Sequence, residues 1–503
     1  MNVKRSIVFG LAAQGLLLLL SFMATRSIFR ELGPEILGVI SFSVTLTFLF
    51  IAVSDMGMSV FITREVAAHR YSDWQYVQEL VGSAITLSWM GFLVSSVVAV
   101  ALAPVLIDRW LQIEVVDRPS TQLALQMISV AQLFAIFRAV YGSVLAGYDR
   151  MDLWNVANLL AVVVQQAGLI LVLSAGGRLW DVAAWFCVSA VLGLLPFLYL
   201  VYRLSGRSLL LPRWRGHELL RNLRFASHLF VNSLSGFLAT QAERWVISRF
   251  LSVSMLGYYS FAQGLVSKGN IVPSTIANAV FPSLASSVMT LTDSALNAHY
   301  RKLQDFTCYV CFPVSAAVAM LGIVVLGQVF NGEVAELVWR PLLLLSIGQC
   351  LMGLLSIPYW LAIALKRPDI STQTNLWAFA LVIPVTVVLI YQYGLIGAAA
   401  SSLVYAGWQL LYFVPRFCAQ CLRLPASLWY QQAGVFFVIG LAAYGLPWLL
   451  LWAMGRGLDS YGLVIAYLLG TVMFILSGWS VIGGELKHLI RTQVRSLIAG
   501  LPA

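Results

Sequence analysis

Long apolar runs broken by short polar segments dominate this chain, and each run is long enough to be a membrane-crossing helix. About 20 mostly apolar residues cross about 30 Å of hydrocarbon at 1.5 Å per residue. Fourteen stretches qualify: Ser6 to Phe29, Ile36 to Phe61, Leu80 to Ile107, Thr121 to Ala146, Leu153 to Ala175, Trp180 to Tyr202, Phe225 to Phe250, Met255 to Met289, Phe306 to Phe330, Leu337 to Leu365, Thr372 to Tyr391, Leu395 to Phe417, Tyr430 to Met454 and Tyr461 to Ile482. The pattern predicts an all-α polytopic membrane protein with no sizeable soluble domain. Composition agrees: 60% of the 503 residues are hydrophobic and 10% are charged. The first run follows Lys4 and Arg5 as a secretory signal would, but it is too long, and Ala24-Thr25-Arg26 makes a poor cleavage site. It reads as a retained helix.

Lys and Arg gather on the cytoplasmic side of membrane proteins, so their positions give orientation. With the N-terminus inside, 20 of the 31 fall in cytoplasmic segments, six on the opposite side and five within spans. The bias holds along the whole chain, which places both termini of this multi-pass chain in the cytoplasm. The net charge of +10 is therefore mostly a topology signal and gives no reason to expect nucleic acid. The basic loop Arg203 to Arg224 also suits anionic headgroups.

That loop, with Gly206, Pro212 and Gly216, reads as a linker between two six-span lobes. The expected organisation is an N-terminal lobe at 1–202, the linker at 203–224, a C-terminal lobe at 225–417, and accessory spans 13 and 14 at 418–503. An internal repeat supports the division. Leu37-Gly38-Val39-Ile40-Ser41-Phe42 returns 219 residues later as Leu256-Gly257-Tyr258-Tyr259-Ser260-Phe261, preceded in each copy by an Arg and a Leu. Six spans is an even number, so the copies share an orientation and imply a pseudo-twofold axis along the membrane normal.

Ionisable side chains within spans point to function, because each costs roughly 2.5 to 3.5 kcal/mol at the helix centre on insertion scales. Arg26, Arg138, Arg244, Lys268 and Arg340 oppose only Asp55 and Glu243. Arg340 is close to a span end and can snorkel, and Asp55 is near an interface. Glu243 and Arg244 point about 100° apart on a helix, so one of them should partner another helix, for instance Glu243 with Lys268. Structural ion pairs explain some of these charges, yet two acids cannot neutralise five bases, and the excess suggests an anionic ligand. In the eighth span Ser267, Lys268, Gly269, Asn270, Pro273, Ser274 and Asn278 crowd together, marking Asn270 and Pro273 as a candidate helix break or gate. A plain packing kink is an equal explanation. Gln14, Gln165, Gln166, Asn232 and Gln241 suit either a wet interior or interhelical hydrogen bonds.

Enzyme signatures are missing. No phosphate-binding loop of the nucleotidase type occurs, and His69, His217, His228, His299 and His488 are scattered without metal-ligand spacing. The pairs Cys308/Cys311 and Cys418/Cys421 lie in or beside helices and read as buried or interfacial thiols. Neither a cofactor nor a metal is expected.

Several motifs carry a family resemblance: Arg30-Glu31-Leu32-Gly33-Pro34-Glu35-Ile36-Leu37-Gly38, Ser54-Asp55-Met56-Gly57-Met58-Ser59, Thr63-Arg64-Glu65-Val66-Ala67, Gly147-Tyr148-Asp149-Arg150, Glu243-Arg244-Trp245 and Phe281-Pro282-Ser283-Leu284. The chain resembles bacterial polysaccharide repeat-unit flippases, the Wzx-like members of the multidrug/oligosaccharidyl-lipid/polysaccharide exporter superfamily. Asp often stands there where this chain has Glu243. The resemblance implies a V-shaped pair of six-helix lobes. These would flip an undecaprenyl-pyrophosphate-linked oligosaccharide from the cytoplasmic to the periplasmic leaflet, alongside membrane lipids and polysaccharide polymerase machinery. Arg26, Arg138, Arg244 and Lys268 would then form a cationic cavity for the pyrophosphate, with Asp55 and Glu243 available for ion coupling or ion pairing. An ion-coupled multidrug exporter and a membrane-embedded glycan polymerase or ligase are the alternatives. The first needs a carboxylate cation site, and the second needs a large external loop that this chain lacks.

Overall fold

The computed structural model describes residues 3–481 except 56–57, 115, 211, 214–233, 239, 271–272, 275, 277–283, 285–286, 289–290, 331 and 456–458, together with residue 487. The outer part of the basic linker, the start of the seventh span and much of the second half of the eighth lie outside the described residues. The chain forms two compact units, Met1–Phe261 and Ala262–Ala503.

In the first unit, α1 (Val3–Asp55) carries the first two expected spans through one kink. Gly33 sits there at φ 85°, where a side chain would be strained, and Pro34 restarts the helix with its φ already set. Then come α2 (Met58–His69), α3 (Trp74–Val105) extended by a π-turn (Leu106–Trp110), α4 (Arg118–Leu133), α5 (Ala135–Gly147), α6 (Met151–Ser174) and α7 (Leu179–Ser205). Asp117 caps α4 by accepting from the Ser120 amide and hydroxyl, which hold its carboxyl below the usual range. The core joins Ile62 and Val66 of α2, Val81 and Ile85 of α3, Val140 and Val144 of α5, and Phe197 and Val201 of α7. With lipid outside, close packing must hold these helices together.

The boundary falls within α8 (Val253–Gly269), and the second unit takes in its end, from Ala262, then α9 (Asp293–Val329), α10 (Gly332–Leu354), α11 (Ser356–Ala364), α12 (Pro368–Trp408), α13 (Ala426–Ala453) and α14 (Ser460–Val481). Gly394, at φ 58°, bends α12 between the eleventh and twelfth expected spans. The last two helices pack on α9: a Cβ at Gly440 would lie 2.9 Å from the Phe312 ring, and one at Gly478 3.0 Å from Tyr309. Gln432 of α13 donates to Asp305 and to the Arg301 carbonyl at 2.6 and 3.0 Å. Outward-facing Leu441, Leu450 and Leu476 are about two-thirds exposed, as a lipid-facing surface requires. Cys308 and Cys311 are buried free thiols on α9. The described residues take in ten of the fourteen expected spans from end to end and parts of the second, seventh, eighth and fourteenth, and the fold is the expected all-α polytopic membrane protein.

The two units build one turn twice. Tyr148-Asp149-Arg150 ends α5 and Leu365-Lys366-Arg367 ends α11, with Asp149 and Lys366 both at φ 59°. The Arg150 amide donates to the Leu145 carbonyl at 3.0 Å and the Arg367 amide to Ala362 at 2.9 Å. Each arginine then grips the acid two residues on, Asp152 or Asp369, through two parallel bonds of 3.0 Å. Sequence identity between the copies is slight here, so the backbone preserves the repeat better than the side chains do.

Left-handed backbone costs roughly 1–2 kcal/mol for a residue with a Cβ. Lys366→Gly should therefore stabilise the protein by about 1 kcal/mol, seen as a raised unfolding temperature in detergent. Asp149→Gly should not, because the Asp149 carboxylate also accepts from the Arg70 guanidinium, which in turn donates to the Gly147 carbonyl at 3.0 Å.

Candidate functional site

Span two, the second half of α1, is the wall on which the first unit arranges its charges. The helical stretch 240–250 lies against it, with Trp245 edge-on to Phe42 at 5.5 Å between ring centres. The Arg244 guanidinium donates to the Thr45 hydroxyl at 3.4 Å, so this arginine reaches another helix as its crowded position requires. Glu243 beside it is buried, and both lie within electrostatic reach of the buried Tyr259 on α8.

One turn along span two, Phe48 and Ile51 line a cavity of about 190 Å³ whose other walls come from α4, α5, α6 and α7. Arg138 of α5 projects into it, joined by Gln132 and Gln165. Phe134 interrupts the fourth span between α4 and α5 at this point. The first unit therefore brings Arg244 and Arg138 to neighbouring turns of span two, one beside a carboxylate and one in a cavity.

Asp55, a further turn on, accepts from the Ser59 hydroxyl and from its amide at 3.3 Å, joining the end of α1 to the start of α2. Arg26 is exposed in the first half of α1 and meets no carboxylate among the described residues.

In the second unit, Lys268 is half-buried on the last turn of α8. The helix stops at Gly269, Asn270 forms a turn whose amide donates to Ser267, and Ser274 donates back to Asn270 at 3.1 Å. Pro273 is buried and packs near Gly353 of α10, where a Cβ would lie 3.3 Å from the proline ring. Arg340 is exposed, with its guanidinium 5.4 Å from the centre of the Trp339 ring.

Two polar residues that sequence reasoning passed over are Gln132 and Glu35. An unbroken helix would put Gln132 and Arg138 about 120° apart, so periodicity gave no hint that they share a wall. Glu35 is 3% exposed and accepts from the amides of Glu114 at 2.6 Å and Val116 at 2.8 Å. Among the described residues, no three His, Cys, Asp or Glu side chains gather as a metal site.

This arrangement of helices is that of a known class of membrane transporters. The chain is similar to the lipid II flippase MurJ in its inward closed conformation, at 14% identity and a TM-score of 0.71, covering 96% of this chain and 100% of that one. It is also similar to an inward-facing multidrug resistance MATE-family transporter of the MOP superfamily, at 14% identity and a TM-score of 0.66, covering 81% and 95%. A MOP-superfamily transporter from Pyrococcus furiosus, noted for the reverse polarity of its binding pocket, matches at 13% identity and a TM-score of 0.58, covering 82% and 94%. At these identities the likeness establishes the fold. A search of curated protein sequences finds no match. The family described as polysaccharide biosynthesis protein matches residues 3–288, more than half of the chain. The chain belongs to that family.

Proposed function

We propose that the protein flips an undecaprenyl-pyrophosphate-linked oligosaccharide repeat unit from the cytoplasmic to the periplasmic leaflet of a bacterial inner membrane. The observation that carries this reading is the family match over residues 3–288. The surplus of basic side chains within the spans supports an anionic cargo, since a cationic drug would meet repulsion there. The protein acts as a transporter and not as an enzyme. Its cargo is a building unit of O-antigen or exopolysaccharide, handed on to polymerase machinery.

In this reading the lobes at 1–202 and 225–417, joined by the basic linker at 203–224, work by alternating access. The helices within 418–503 are accessory, and both chain ends are cytoplasmic. Arg26, Arg138, Arg244 and Lys268 take the pyrophosphate through charge-assisted contacts, weak enough in sum for release. Glu243 and Asp55 serve ion coupling or ion pairing, and the break at Asn270 and Pro273 gives the eighth span a hinge. The lipid tail stays in the bilayer.

In cells lacking the protein, the lipid-linked oligosaccharide should accumulate facing the cytoplasm. Wild type should restore its periplasmic exposure, whereas Arg244→Ala or Lys268→Ala should lower the flux by about tenfold or more, as expected for one lost charge-assisted contact. An unchanged leaflet distribution, with altered drug susceptibility in its place, would replace this reading with multidrug export.

A further inference from the structure

The cavity between span two and α4 to α7 is lined by Phe48, Ile51, Gln132, Arg138, Gln165 and Ser189 among others, and no carboxylate among the described residues lines it. Two of its donors lack acceptors among the described residues. The Gln132 Nε2 is buried, and neither it nor Arg138 makes a hydrogen bond or ion pair with any described residue. Gly193 of α7 lies beside the guanidinium: a Cβ there would be in ordinary contact with Arg138 Nη1 at 3.7 Å and tight against the Ala161 methyl at 3.1 Å. The nearest acid along span two, Asp55, is engaged with Ser59. A guanidinium held in an apolar setting with unused N–H groups calls for an anion of matching shape.

We propose that this cavity is a phosphoryl-binding subsite built by the first unit alone. The Arg138 fork takes two oxygens of a phosphate or pyrophosphate group, and the Gln132 and Gln165 amides take oxygens that remain. A carboxylate has only two oxygens and would leave the amides idle, and a cation would find no charged acceptor. The subsite deepens the flippase reading, on which it rests only for the origin of the phosphoryl group: a lipid pyrophosphate headgroup or a free phosphate species. Because spans two, four, five and six supply every group named, the site needs no residue of the second unit to bind its ligand.

The full-length protein in lipid nanodiscs, titrated with undecaprenyl pyrophosphate, inorganic pyrophosphate and uncharged undecaprenol, tests this directly. Wild type should bind a phosphoryl probe and not undecaprenol through this site. Arg138→Ala should weaken that binding by about 10- to 100-fold, Gln132→Leu by about 5-fold, and Arg138→Lys should restore part of it, since an ammonium keeps the charge but loses the fork. Binding of the lipid alone assigns the headgroup, and equal binding of inorganic pyrophosphate assigns a free anion. Should Arg138→Ala fail to fold, Arg138→Lys and Gln132→Leu carry the test. Unchanged phosphoryl affinity in the folded variants, or no phosphoryl binding by wild type, overturns the subsite. Phosphoryl binding that depends on Arg138 in a protein with no effect on leaflet exposure would sink the flippase reading and leave the subsite standing.

Discussion

Gly38→Ala and Gly257→Ala should each lower the unfolding temperature sharply and abolish surface polysaccharide, although each adds only one methyl group. A Cβ at Gly38 would lie 2.0 Å from the Val253 carbonyl oxygen and 2.7 Å from its Cγ1. A Cβ at Gly257 would lie 2.1 Å from the Pro34 carbonyl oxygen and 3.1 Å from the Gly38 amide nitrogen. Both clashes are with backbone, so no rotamer change relieves them and a helix must move. Overpacking of this kind costs typically 1–3 kcal/mol, and rigid surroundings raise it. The two glycines are equivalent positions of the internal repeat and meet where its copies cross, so a displacement there spreads along both. Gly434→Ala is the control, because nothing lies within 4 Å of a Cβ at that position and the change favours the helix. Thermal scans in detergent that put the Gly38 variant level with the control would show that the crossing is loose.

How far the sequence revealed this follows from what a one-dimensional pattern can carry. Apolar run lengths gave the spans, because bilayer thickness acts on each helix separately. The Leu-Gly repeat was legible as a repeat, yet nothing in it said that Gly38 and Gly257 touch. The Phe29 to Ile36 interval looked like a loop between two helices, but Gly33 and Pro34 turn the chain with so little non-helical backbone that α1 runs through. Arg138 stood out because a charge in an apolar run is costly wherever it sits. Gln132 did not, although the fold brings it to the same cavity wall. Arg244 already stood beside Glu243 in the sequence, but only the fold shows that Arg138 faces a cavity. Glu35 was visible only within a family motif, since its partners lie about eighty residues downstream.

Glu35→Ala is the second substitution expected to have a large effect, and the reason is the segment that this carboxylate holds. Its two oxygens accept from the amides of Glu114 and Val116, fixing the connection between the π-turn after α3 and the start of α4. That connection in turn reaches the end of the helical stretch bearing Arg244: the Gln112 carbonyl accepts from the Val253 amide at 3.2 Å, and its side chain donates to the Arg249 carbonyl at 3.3 Å. Trp110 adds a bond to Ser248 at 2.9 Å. Removing two charge-assisted bonds should cost about 2–4 kcal/mol, and it should free the 112–116 segment from the helix carrying Glu243 and Arg244. Glu35→Gln keeps one carbonyl acceptor but puts an NH₂ against the other amide, so it should fall between wild type and Ala. Hydrogen exchange at the Glu114 and Val116 amides, read beside the unfolding temperature, separates the outcomes. Faster exchange with a lowered melting point in the order wild type, Gln, Ala places Glu35 as the clasp of this segment, whereas unchanged protection in Glu35→Ala would mean that the Gln112 and Trp110 contacts hold it without the carboxylate.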